Sequence, residues 1–209
     1  MGKLESYKVI TKHGSGEIVE KKSRFIANVF SVESQEEAEQ KIAEISKKYW
    51  DARHNCYAYI IMEGDQLIKK CSDDGEPSGT AGRPMLAVME GASLVNAVCV
   101  VTRYFGGVLL GTGGLVRAYT DAASEALADA DITPIRKGMY ISVTLDYPDE
   151  GALRRLFEAE GFDITDTAYT EKVMLTVLGP QEKGEALMKR ITDMTGGKGI
   201  CKAGESIYY

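Results

Sequence analysis

Residues 101–117 of this chain, VTRYFGGVLLGTGGLVR, hold its densest grouping of side chains and backbone able to take a charged partner. An apolar run delivers Arg103 and Tyr104; Gly106, Gly107, Gly111, Thr112, Gly113 and Gly114 follow, with Arg117 a turn further on. Ordered glycine costs backbone entropy, so this many mark a backbone shaped for something besides packing. A helix opening at the last glycines would present amides without intrahelical acceptors, and its dipole would favour negative charge there. Arg103 and Arg117 would add bidentate donors for phosphate. Tyr104 or Phe105 would offer a face on which a base stacks. The plainer reading is a tight strand-to-helix connection in which glycine only relieves crowding, and the residues leave both open. The spacing is not that of a P-loop, which needs G-x-x-x-x-G-K-[ST], nor of G-x-G-x-x-G in a dinucleotide-binding unit.

A second segment, CSDDGEPSGTAGRP at 71–84, sets Asp73, Asp74 and Glu76 around Gly75. Clustered carboxylates can hold Mg²⁺ or act as general bases. Asp-Gly is also a common turn, with solvated acids and Ser78 or Thr80 capping the next helix, and this turn is favoured over a metal site. In a third role the acids pair with Arg103 or Arg83 and fix the loop. His54, in RHNCY at 53–57, can bind a ligand or donate a proton, although a histidine at a strand entrance is more often structural. His13 and His54 are the only histidines. No Ser-His-Asp or Cys-His set assembles, and no metal or cofactor is expected. Trp50 is expected to pack in a core or a domain interface. The pairs Lys47-Lys48, Lys69-Lys70 and Arg154-Arg155 read as solvated faces.

The 209 residues are 44% hydrophobic, enough for one large or two modest cores. A net charge of −6 argues against a protein that coats nucleic acid by bulk charge but leaves room for a local basic groove. No apolar run is long enough to cross a membrane, and the N-terminus has no signal-peptide core. MGKLES at 1–6 fits the loose myristoylation pattern, which is too short to weigh. Cys56, Cys71, Cys99 and Cys201 contain no CxxC pair and read as reduced thiols of a cytoplasmic protein.

Around these residues the pattern predicts an α+β chain. Residues 7–11 and 16–32 read as a strand pair turning at residues 14–16. Ser34 and Glu37 form a capping box for a helix with Ala38, Ile42, Ile45 and Tyr49 inward. Strands follow at 56–62 and 66–71 with a turn at Gly64-Asp65, then a helix at 81–90 and a buried strand at 94–102. A helix over 114–130 packs through Leu115, Tyr119, Ala122, Ala126 and Leu127. The pattern breaks at 132–138, where a domain boundary is placed: 1–136 and 137–209. Beyond it come a strand (139–145), a helix with Leu153, Leu156 and Phe157 inward and Gly161 at its end, and a hairpin (162–169, 172–178). A helix over 181–195 with Leu187, Ile191 and Met194 inward and a last strand complete a βαββαβ order, the ferredoxin-like unit.

SDDGEPSGTAG at 72–82 and RYFGGVLLGTGGLVR at 103–117 resemble the YigZ/IMPACT family, as do HNCY at 54–57 and KSRFI at 22–26. The resemblance spans essentially the whole chain. It implies an N-terminal domain with the ribosomal-protein-S5 domain-2-like fold and a C-terminal ferredoxin-like domain similar to one in elongation factor G. Eukaryotic members regulate translation through a partner protein, using an extra N-terminal domain that this chain lacks; the two-domain form is similar to bacterial members. The function expected is a non-enzymatic, RNA- or ribosome-associated regulator of translation, with RNA, the ribosome or a translation factor as partner. Arg103, Tyr104, Gly106, Gly107, Gly111, Thr112, Gly113, Gly114 and Arg117 would bind the anion; His54, Asp73, Asp74, Gly75 and Glu76 would support it. The rival is a Mg²⁺-dependent enzyme or sensor for a small phosphorylated ligand, with Asp73, Asp74 or Glu76 holding the ion.

Overall fold

A computed structural model describes residues 6–64 and 66–209. The lipidation pattern at 1–6, but for Ser6, and Asp65 of the expected turn lie outside the described residues. The chain is mixed α/β and divides into two compact units, residues 7–134 and 135–209.

In the first unit, β1 (Ser6–Lys12), β2 (Gly14–Glu20), β3 (Ser23–Ser31), α1 (Gln35–Lys48), β4 (His54–Glu63) and β5 (Gln66–Ser72) are followed by α2 (Gly82–Gly91), β6 (Ala97–Tyr104) and α3 (Thr112–Asp129). Five strands form an antiparallel sheet in the order β2-β3-β6-β4-β5. The central strand β6 is buried from Ala97 to Arg103 because both faces are covered. Strand residues point to alternate faces. Ala97, Cys99 and Val101 accordingly meet α2 and α3, while Val98 and Val100 meet α1. The Ser34 cap at α1 forms, with Glu37 N–H donating to Ser34 Oγ (3.1 Å), while the Glu37 carboxylate reaches one residue past the capping-box partner and accepts from Glu33 N–H (2.8 Å).

The expected strand over 16–32 is two strands. Its break is at Lys21 and Lys22, both left-handed with φ of 45° and 66°. Nothing in a lysine pair signals that turn, which usually uses Asn and Gly. Gly14 and Gly16 make no turn; they lie in β2 under α3, where a Cβ on Gly14 would collide with the backbone of Ala126 and Ala130. Nor does β1 pair with β2. It runs beside the start of β7 (Asp131–Leu145), where Thr11 Oγ1 donates to the Asp131 carbonyl. The pattern break at 132–138 is no interruption in the backbone, since β7 continues through Pro134 as one strand.

The second unit holds the rest of β7, α4 (Glu150–Glu160), β8 (Asp163–Tyr169), β9 (Val173–Pro180), α5 (Gly184–Met194) and β10 (Ile200–Tyr208). Its antiparallel strand order is β10-β7-β9-β8. Ile141 and Val143 of β7 and Val173 and Leu175 of β9 pack against Leu153, Phe157, Leu187 and Ile191 of the helices. Gly161, at φ 78°, ends α4 in the left-handed conformation that costs other residues energy. Met194, expected inward, is 48% exposed. The buried neighbour is Thr195, whose Oγ1 donates to the Ile191 carbonyl and accepts from Gly199 N–H.

Candidate functional site

β6 ends in two adjacent residues that the sheet's alternation separates. Arg103 turns to the α2/α3 face and is only 5% exposed. Its Nη1 donates to Glu76 Oε1 at 2.6 Å and its Nη2 to Ser23 Oγ at 3.4 Å. The guanidinium lies over the rings of Phe25 (5.3 Å) and Phe105 (5.5 Å). Tyr104 faces the other way, and its hydroxyl donates to Asp51 Oδ1 at 2.7 Å. Arg103 and Tyr104 therefore do not form one binding surface, and Arg103 is an internal ion-pair partner before it is anything else.

A buried network continues from that pair. Tyr119 of α3 donates its hydroxyl to Glu76 Oε1 (2.9 Å), and the Cys56 thiol donates to the Asp73 carbonyl (3.0 Å) beside the Tyr119 hydroxyl. Burial pushes the Cys56 thiol up to about 12 and the Tyr119 phenol far above its usual range. Both stay protonated at neutral pH, so neither is a ready nucleophile or base.

The carboxylates of residues 71–84 are fastenings. Asp73 accepts from the amides of Gly79 (2.8 Å), Ala81 (2.9 Å) and Gly82 (2.9 Å). It caps α2 from a distance; the residue at the cap position is Ala81, so neither Ser78 nor Thr80 does so. Burial pushes the Asp73 pKa upward, but the three amides outweigh it and hold the acid below its ordinary value. Asp74 Oδ2 accepts from Asn55 N–H (2.6 Å), and the Asp74 carbonyl accepts from His54 Nδ1–H (2.7 Å). Gly75, at φ 83°, sits against the His54 ring. Among the described residues no cluster of His, Cys, Asp and Glu could hold a metal ion.

Over this network lies a cleft of about 370 Å³. Arg53, His54, Glu76 and Arg103 form its polar side; Pro77, Phe105, Leu109, Leu110 and Leu115 form its apolar side. Gly111 and Thr112, where α3 begins, complete the lining. The first amides of α3 have no intrahelical acceptor. Gly111 at the cap, φ 74°, offers no side-chain cap, and the first turn carries no acid. The opening of α3 is thus left unneutralised beside two arginines.

Of the remaining expected residues, Gly106 donates its N–H to Ser23 Oγ (3.1 Å) and packs so close to the Lys22 backbone that no Cβ fits. Gly107 is left-handed at φ 84°, Gly113 has open space around it, and Gly114 abuts Leu110. Arg117 is exposed further along α3, with Nε toward the Gly113 carbonyl (3.4 Å), and does not line the cleft. Sequence reasoning did not place in the site Arg53, whose only signal was its place beside His54, Ser23, which lay unremarked within KSRFI, or Tyr119, which read as packing.

The same end of the sheet collects exposed cations and aromatics. The Lys21-Lys22 turn adjoins the start of β3, and α1 returns to β4 through Tyr49, Trp50 and Asp51. Lys21, Lys22, Lys47 and Arg53 are exposed and form no ion pair among the described residues. Trp50, expected to be packed away, is 82% exposed, and Phe105 is 47% exposed. Trp50 follows the α1 C-cap, where the chain turns outward at the helix end.

The chain matches the Impact N-terminal domain over residues 21–127 and the domain of unknown function DUF1949 over 143–198. It is 39% identical over 205 residues to the IMPACT family member YvyE of Bacillus subtilis (strain 168), covering 98% of this chain and 94% of that protein. It is 36% identical over 180 residues to YigZ of Escherichia coli (strain K12), covering 85% and 87%. Protein IMPACT of Mus musculus is 38% identical over 98 residues, 45% of this chain and 30% of that protein. A solved structure described as that of a hypothetical protein aligns with a TM-score of 0.58 at 31% identity, over 97% of this chain and 98% of that one. Every residue of the cleft and its buried network falls within the first matched domain, and the chain belongs to the IMPACT family.

Proposed function

We propose that this protein is a non-enzymatic regulator of translation that contacts RNA, free or in the ribosome, with the cleft end of its first unit. One observation carries the reading: exposed Lys21, Lys22, Lys47, Arg53, Trp50 and Phe105 all lie in the segments at one end of the sheet, where β3 and β4 begin and β6 ends, in a chain whose net charge is −6. Cations neutralise phosphates, and an exposed aromatic face stacks on unpaired bases regardless of their identity. Of the expected trio Arg103, Tyr104 and Arg117, Arg103 alone lines the cleft, so on this reading exposed neighbours supply most of the RNA surface. The hydrogen-bonded acids and protonated Cys56 and Tyr119 support a binding role over a catalytic one. The β10-β7-β9-β8 order supports reading the second unit as ferredoxin-like; the first is read as S5 domain-2-like. The four free cysteines suit a cytoplasmic setting, and no helix among the described residues is long and apolar enough to cross a membrane.

Trp50→Ala tests the reading. It should weaken binding of a single-stranded oligoribonucleotide, followed by fluorescence anisotropy, by about 1–3 kcal/mol. Folding stability should change by less than about 0.5 kcal/mol, because the side chain is mostly in water. Unchanged affinity would remove Trp50 from the surface. The rival, a small phosphorylated ligand, is favoured by the apolar side of the cleft. A nucleotide, with or without Mg²⁺, that raises Tm in a protein that binds no RNA would select it.

A further inference from the structure

Building on the RNA-binding reading, we propose that the cleft seats a terminal phosphate of RNA, with the end nucleotide's base against its apolar side. Three independent features converge there. The opening of α3 presents uncapped amides with no acid in the first turn. Arg103 lies in the lining, its side chain 7% exposed, and its Nε has no hydrogen-bond partner. A buried donor without an acceptor calls for an explanation, and an anion drawn against this guanidinium would supply one after a small shift of the side chain. Arg53, exposed and unpaired, lines the same cleft.

The charges in the lining favour a phosphate. Glu76 is opposed by Arg103 at 2.6 Å, which leaves Arg53 and the positive end of the helix dipole uncompensated. An end is preferred to the middle of a strand for two reasons. A terminal phosphomonoester carries roughly −1.5 to −2 charge and three free oxygens, as a phosphorylated side chain does, whereas an internal diester carries one charge. In addition, the floor is closed by the Glu76–Arg103 pair. A closed floor suits a group that enters from the mouth and stops there, as a strand end does. The volume of about 370 Å³ is at the small end of ligand pockets, the scale of one nucleotide. Pro77, Leu110 and Leu115 give the base an apolar wall, and Phe105 and Leu109, 47% and 83% exposed, stand at the mouth.

The test uses one oligoribonucleotide sequence in three forms: 5′-phosphate, 3′-phosphate, and hydroxyl at both ends. Binding to the full chain is followed by anisotropy for wild type, Gly113→Asp and Arg53→Met. Gly113 is outside the left-handed region and has nothing within reach of a Cβ. A carboxylate in the first turn stabilises a helix, so Tm should hold or rise while a negative charge is placed in the α3 opening, one residue beyond the Gly111 and Thr112 of the lining. Wild type should prefer one phosphorylated end by about tenfold, the effect of a charge-assisted hydrogen bond. Both variants should lose that preference and still bind the hydroxyl form. Equal affinity for all three forms, or a preference that survives both substitutions, would overturn the terminal seat and leave RNA binding standing. Failure of every form to bind would overturn the RNA reading itself. In that case a rise in Tm with free nucleoside monophosphate would give the cleft to a small ligand instead.

Discussion

Glu76 and Arg103 are ionised groups held almost entirely out of water, with side chains 3% and 7% exposed. Such a pair is tolerated because each member compensates the other, and removing one strands a charge. Glu76→Gln should therefore destabilise the fold by about 3–5 kcal/mol in urea unfolding. A neutral, stable result would mean that the pair is not closed in solution. Asp73 makes a different, pH-dependent contribution. Its pKa in the folded state lies below the ordinary value of 3.8. Its stabilisation is complete above the unfolded value and lost as pH falls through the folded one. Asp73→Asn should lower Tm at pH 6 and shrink the loss of Tm on acidification toward pH 2. Parallel curves for the two proteins would contradict the cap. The acid cluster's presence was legible in the sequence. Its role was not, because an Asp that caps a helix nine residues away and one dissolved in water look alike in a string of letters.

The start of α1 at Ser34 and the end of α4 at Gly161 followed from caps, and apolar spacing placed α3 and β9 to within two residues; these are local signals. The β2–β3 turn did not, because Lys21 and Lys22 adopt left-handed φ against their preference, held by the sheet pairing on either side. Meanwhile Gly14 and Gly16, which looked like the turn, serve the close approach of α3. Strained non-glycine backbone persists where the surroundings dictate it and often marks function. Here it aims two cations at the cleft end. The double substitution Lys21→Asn with Lys22→Gly should stabilise the hairpin by about 1 kcal/mol or more while weakening RNA binding. A rise in Tm without loss of RNA affinity would make the turn purely structural. Strand alternation was likewise legible only once the sheet was known. Adjacent Arg103 and Tyr104 looked like one site until β6 sent them to opposite faces.

At the scale of the whole molecule, a net charge of −6 sets the affinity. On the proposed reading, RNA is held through few contacts, and those contacts are concentrated at one end of the first unit's sheet. Lys21, Lys22, Lys47 and Arg53 supply at most four, so the logarithm of the binding constant should fall against that of salt concentration with a slope of about −2 to −3 for a single strand. The family was legible because long motifs run through the first unit, and those motifs record both the buried network and the cleft. Which side chains at that end of the sheet are exposed was not legible, since exposure is a property of the fold. Trp50 is the chain's only tryptophan, so its intrinsic fluorescence reports on that surface without a label. Titration of wild-type protein with single-stranded RNA at several salt concentrations should quench Trp50 saturably, with the slope just given. Fluorescence that stays unchanged at RNA concentrations where anisotropy shows saturation, or no binding at any salt, would contradict the account.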